Sequence, residues 1–126
     1  MAGIGVHESH RRGRGVFATR RFQDGNLIEV CPIIVLSEID ARKIDSTRLY
    51  SYYFGWGPHG NQAAIALGYG SLYNHAATPN AVYQKDADTE TISFIATRTI
   101  QAGEEIFITY NTGPDSTGAS LWFEVE

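Results

Sequence analysis

At 126 residues, 43% apolar and with a net charge of −4 at pH 7, the chain can bury one core but not two, and it is too apolar for wholesale disorder. Its single cysteine, Cys31, excludes an intramolecular disulfide framework and any multi-cysteine zinc site within the chain. Residues 1–21 carry five arginines against Glu8, a net of +4, so the remainder carries −8, and such an acidic body suits a cationic partner better than nucleic acid.

The start, Met1-Ala2-Gly3, lacks the apolar core of a signal peptide, and no run reaches transmembrane length. The expectation is an intracellular protein, cytoplasmic or nuclear, with no membrane partner. In chain order, Val16 to Thr19 is a short, partly alternating strand. Leu27 to Leu36 is a long apolar stretch broken by Pro32, where an edge or bend is expected. Ser37-Glu38-Ile39-Asp40 is close to a capping box, with Asp in place of the usual Glu or Gln, and one short helix follows. Tyr50, Tyr52, Tyr53, Phe54 and Trp56 form an aromatic cluster that reads as core.

The Ala63 to Leu67 run should be buried. Ala81 to Tyr83 and Thr91 to Ala96 flank an Asp-rich turn and predict a hairpin, with Ile92, Phe94 and Ala96 on one face. Gln101 to Glu104 is a turn, and Glu105 to Tyr110 is the last strand. Asn111 to Ser120 is loop-like, and apolar character returns at Leu121-Trp122-Phe123. Many short strands with one helix predict a mainly β domain of α+β type over residues 1–126.

Three segments carry candidate chemistry. Gly13-Arg14-Gly15-Val16-Phe17-Ala18 matches G-x-G-x-x-A, but neither a strand before it nor a helix after it makes a dinucleotide fold. Its glycines still allow close backbone approach to a ligand. In Asn74-His75-Ala76-Ala77-Thr78-Pro79-Asn80, polar groups follow a buried run, Pro79 fixes the backbone and Asn80 tolerates a tight bend. Neither His7, His10, His59 nor His75 has the companions of a zinc site, so no metal is expected. Read singly, each segment is more often a turn, a packed histidine or a solvated face than a site.

Together and in order with Gly103 to Tyr110, these segments resemble the three signature motifs of the SET-domain protein-lysine methyltransferases, from about Gly13 to Tyr110. Asn-His-x-x-x-Pro-Asn is the most specific of them. The resemblance implies small curved β-sheets around a knot-like crossing near the C-terminus, closed by residues 111–126, as in small viral and bacterial members. It implies S-adenosylmethionine as cofactor, with Arg14 and Gly15 at the methionine end, Asn74 on the amino-acid portion and His75 near the adenine.

It further implies Tyr110 as the catalytic tyrosine and Tyr83 as a second channel tyrosine that limits the degree of methylation. Trp122 or Phe123 would stack on the adenine or close the lysine channel. The implied partner is a protein with an exposed lysine, a histone tail among the candidates; a homodimer stays open, and direct nucleic-acid binding is not expected. Three positions depart from the usual pattern: Ala76 replaces a serine, Thr109 an aspartate and Ile108 an aromatic residue. A tyrosine carried by some relatives is absent around Glu29-Val30-Cys31-Pro32. A non-catalytic SET-like peptide-binding module is the alternative.

Overall fold

The computed structural model describes residues 2–9 and 13–109. Its largest sheet is assembled around strand β3 (Leu27–Leu36), with order β4-β5-β3-β8-β7, where β4 is Phe54–Trp56, β5 Gln62–Ala66, β7 Ala81–Asp86 and β8 Thr91–Ala96. A separate hairpin pairs β1 (Ile4–Ser9) with β2 (Gly13–Ala18), and a two-residue parallel ladder pairs β6 (Asn74–His75) with β9 (Phe107–Ile108).

Of the edge or bend expected at Pro32, the edge is not found, since β3 is central in its sheet; Pro32 marks a change of partner. Leu27 to Pro32 pair with β8 and Ile33 to Leu36 pair with β5. Proline has no N–H to give to a ladder, and the handover between two ladders tolerates that loss. Ile33 N–H donates to the Glu90 carbonyl, and the Pro32 carbonyl accepts from Leu67 N–H at 2.9 Å.

A register shift between Leu27 and Glu29 inserts Ile28 as a bulge. Bulges re-aim side chains. Here the shift leaves Leu27 exposed while Ile28, Glu29 and Cys31 are buried. Directly opposed residues share a sheet face, so Glu29, Phe94 and Tyr83 form one buried row across β3, β8 and β7. The expected hairpin face of Ile92, Phe94 and Ala96 is buried throughout.

The helix α1 (Glu38–Ile44) follows the capping signal, with Ser37 Oγ accepting from Asp40 N–H at 3.1 Å. The aromatic cluster divides, contrary to its reading as core. Phe54 and Trp56 are buried, whereas Tyr50 is 60% exposed. Tyr53 turns its hydroxyl to Asp45 at 2.6 Å, because the 3₁₀ turn Arg48–Ser51 lies at the surface.

Two further boundaries differ. The G-x-G segment lies within β2 itself, and the last strand is only Phe107–Ile108, since Glu105 makes an isolated bridge to Phe17. The C-terminal crossing implied by the resemblance falls on residues outside those described.

Candidate functional site

Strands β2, β6 and β9 converge on one carboxylate. Glu105 lies just before β9, and its bridge to Phe17 sets it against β2. Ile106 N–H donates to the Val16 carbonyl at 2.8 Å and Ala18 N–H to the Glu104 carbonyl at 2.9 Å. One Glu105 oxygen accepts from Ser9 Oγ at 2.5 Å, and the other from Asn74 Nδ2 at 2.8 Å. The same Asn74 nitrogen donates to the Arg14 carbonyl at 3.0 Å. Residues far apart in sequence, at positions 9, 14, 74 and 105, thus share one hydrogen-bonded cluster.

Gly15 is the hinge of that approach. A Cβ there would overlap the Glu105 carboxylate and lie 2.7 Å from Asn74 Nδ2. Real side chains do not sit that close, so Glu105 and Asn74 can hold these positions only because residue 15 has no side chain.

Asn80 holds the motif's other end. It is 2% exposed. Its amide donates to the Glu105 carbonyl at 2.9 Å and accepts from Phe107 N–H at 2.7 Å. Its own N–H donates to the Phe107 carbonyl, and Ala76 N–H to the Ile108 carbonyl at 2.9 Å. Asn80 lies at a bend, in line with the sequence reading, with a φ that is not positive, and its buried amide is in addition a cross-strand clip.

His75 pairs with Ile108 on the parallel ladder. Burial pushes its imidazole down to about 4 from the ordinary 6.5, so it is neutral at physiological pH. It brings no positive charge to the cluster's flank.

Tyr83 belongs to a different neighbourhood. Its ring packs edge-on against Phe54 at 4.9 Å and tilts against Phe94 at 6.3 Å. Tyr73 stacks on Phe94 at 4.2 Å and donates its hydroxyl to Glu29 at 2.8 Å. Glu29, 5% exposed, also accepts from Tyr69 N–H at 2.9 Å. Burial first, and then Glu29, push both the Cys31 thiol and the Tyr73 phenol upward. A thiol held protonated in this way is a packing residue rather than a nucleophile.

Arg14, Gly15 and Asn74 are therefore drawn together, with His75 next to Asn74 on β6. Tyr83 is buried apart from them, against Phe54 and Phe94. Tyr110, Trp122 and Phe123 lie outside the described residues. Sequence reasoning gave no role to Glu105, Ser9, Glu29 or Tyr73. The adjacent pair Glu104-Glu105 was the available signal, since only one of two neighbouring strand carboxylates can face inward. No cluster of His, Cys, Asp or Glu suited to a metal occurs among the described residues.

Residues 13–111 match the SET domain family. The chain is 34% identical over 122 residues to the Schizosaccharomyces pombe histone-lysine N-methyltransferase specific for lysine 37 of H3, covering 96% of this chain and 77% of that protein. It is similar, at 28% identity and a TM-score of 0.71, to the crystal structure of a candidate histone methyltransferase from Plasmodium falciparum, covering 89% of this chain and 96% of that one. Polycomb Repressive Complex 2 of Chaetomium thermophilum, in an autoinhibited conformation bound to S-adenosylmethionine, shares the fold at a TM-score of 0.73 and 21% identity, over 86% of this chain and 15% of that one.

Proposed function

The chain belongs to the SET-domain family and is a protein-lysine N-methyltransferase; from that premise we propose that its own donor is S-adenosylmethionine, held at the Arg14–Gly15–Asn74 cluster, and that its acceptor is a lysine of a histone tail. The observation that carries the donor assignment is the convergence of Gly15 and Asn74 on Glu105. Strand β2 runs past the cluster with no side chain at Gly15, as a main-chain wall against a ligand requires.

Asn74 directs its amide nitrogen to the Arg14 carbonyl and Glu105. Its carbonyl oxygen remains as an acceptor for the ammonium of the donor's amino-acid portion. His75, neutral because it is buried, flanks the adenine through its main chain without repelling a cationic ligand. The family resemblance gives Trp122 or Phe123 the role of stacking on the adenine or closing the lysine channel. When bound, the donor supplies a methyl group already activated by a sulfonium.

The residues of the chain have two tasks, alignment and deprotonation. Holding amine and methyl group in line is worth roughly 7–11 kcal/mol of barrier. A free lysine has a pKa of about 10.4, so about one amine in 2,500 is neutral at pH 7. A dry aromatic channel disfavours the ammonium. Tyr83, buried against Phe54 and Phe94, is the channel wall in this reading, and Tyr110 orients the amine. The acidic balance of residues 22–126 draws a basic tail and raises its encounter rate. A histone acceptor would place the enzyme inside the cell.

Incubation with labelled donor and a panel of lysine-bearing histone tails tests the proposal, beside calorimetry of S-adenosylhomocysteine. Transfer to one tail with measurable donor binding is the expected result. Donor binding without transfer to any tail would leave a peptide-binding module, and absence of both would overturn the donor site.

A further inference from the structure

The cluster around Glu105 holds more order than a ligand pocket requires. Arg14 O and the Glu105 carboxylate are acceptors only, and both lie against the same end of the Asn74 amide, at 3.0 and 2.8 Å. Two acceptors on one side fix which way an amide points, because the reversed amide would set its oxygen against two others. Glu105 is itself held. Ser9, 5% exposed, donates to the remaining carboxylate oxygen at 2.5 Å. Ser9 ends strand β1, ahead of the residues that match the family.

We propose that Glu105, tied down by Ser9, is a positioning residue that locks the Asn74 amide with its carbonyl oxygen toward the donor's ammonium. This deepens the donor assignment and rests on the reading that Asn74 meets the amino-acid end. The N-terminal hairpin then has a function of its own. Through Ser9 it keeps the carboxylate from rotating away, so that the Asn74 oxygen is preset before the donor arrives. A preset acceptor improves affinity because no reorganisation accompanies binding. Without Glu105 the amide keeps one orienting partner, the Arg14 carbonyl, and has greater freedom to rotate.

Two ligands separate this role from a general structural one. S-adenosylhomocysteine carries the ammonium and carboxylate; 5′-methylthioadenosine keeps the nucleoside and sulfur but lacks that portion. Calorimetry of both against the wild type, Glu105→Ala, Glu105→Gln, Ser9→Ala and Asn74→Ala gives the test. Glu105→Ala should weaken S-adenosylhomocysteine about tenfold, the usual size of one lost charge-assisted bond, while methylthioadenosine changes less than about twofold. Glu105→Gln should recover most of that loss, since its amide oxygen can accept from Asn74 while Ser9 accepts from its nitrogen.

Ser9→Ala should lie between the wild type and Glu105→Ala, and it serves as the probe should the latter fail to fold. Equal weakening of both ligands by Glu105→Ala, or no rescue by Glu105→Gln, would overturn the positioning role. If Asn74→Ala leaves the ratio of the two affinities unchanged, the donor assignment falls first. If that ratio drops for Asn74→Ala alone, only the inference about Glu105 falls.

Discussion

Replacing Tyr73 with phenylalanine tests the buried polar network directly. The phenol donates to Glu29 at 2.8 Å, and the two residues are 4% and 5% exposed. Tyr73→Phe keeps the ring stacked on Phe94 at 4.2 Å, so apolar burial is nearly unchanged. What changes is the carboxylate's partners: Glu29 keeps Tyr69 N–H and the weak donor Cys31 thiol, and loses its phenol donor. A hydrogen bond to a charged group contributes about 1.5–3 kcal/mol, and a buried acceptor left short of a partner falls in that range.

We take about 2 kcal/mol as the expected loss. Unfolding entropy near 2.1 cal/mol/K per residue then gives a fall in Tm of about 8 °C for a chain of this length. Calorimetric melting and urea titration should agree, with the midpoint shifted and the slope unchanged. A cycle with Glu29→Ala, which removes the acceptor, should return a coupling above about 1 kcal/mol. A Tm change under about 2 °C, or no coupling, would refute the claim that Glu29 depends on this phenol.

Asn80→Ala should cost about 2–4 kcal/mol, because it removes a buried amide together with its bonds to the half-buried Glu105 carbonyl and Phe107 N–H; urea unfolding checks it. Gly15→Ala should fold, since what a Cβ meets are side-chain ends of Glu105 and Asn74, but calorimetry should show S-adenosylhomocysteine binding weakened about tenfold or more. The folded-state pKa of His75 is depressed, so below its ordinary value the unfolded chain binds more protons than the folded one. Stability should therefore decline as pH falls from 6.5 to about 4, a slope reduced in His75→Gln and read as Tm against pH. Tyr110→Phe should slow transfer by two or more orders of magnitude while leaving donor affinity near normal, read by single-turnover kinetics beside calorimetry; equal loss of both would make Tyr110 structural.

Much of the framework is legible where side-chain periodicity and backbone demands coincide. Ile92, Phe94 and Ala96 alternate in sequence and share the buried face. Ser37 announces α1 and caps it. The signals that failed depend on contacts between distant strands. Strand β1 is half polar and glycine-bearing, so Ile4–Ser9 has little local character, and only pairing with β2 makes it a strand. Pro32 argues for an edge by a rule that counts ladder bonds, and the rule is satisfied differently when two partners divide one strand. Glu29 sits inside an apolar run with nothing local to mark it as buried. Its partners, Tyr69 and Tyr73, lie 40 and 44 residues away. The segments that carry Arg14, Gly15, Asn74 and His75, the candidate donor residues, were legible as an ordered set of motifs. Glu105, the group that joins them, was hidden beside an exposed twin, Glu104.

The positions at which this chain departs from the family pattern bear on whether turnover survives. Ala76 lacks the hydroxyl of the usual serine, yet the bond that fixes this position is made by its main chain, from N–H to the Ile108 carbonyl at 2.9 Å. An alanine gives that bond as well as a serine does. Ile108 is fully buried and belongs to the core, so an aliphatic residue there fills space that an aromatic one fills elsewhere. Thr109 is exposed, and a surface substitution away from a buried partner usually shifts stability by no more than about 0.5 kcal/mol. None of the three removes a member of the Ser9–Glu105–Asn74–Arg14 cluster or of the Asn80 clip. The bonds lost at the departing positions are side-chain bonds that the framework does not use, and those of the Ser9–Glu105–Asn74–Arg14 cluster are intact. Restoring the usual residues by Ala76→Ser and Thr109→Asp should therefore leave S-adenosylhomocysteine affinity within about threefold of the wild type. A gain of tenfold or more in calorimetry would show that the hydroxyl or the carboxylate belongs to the donor site after all.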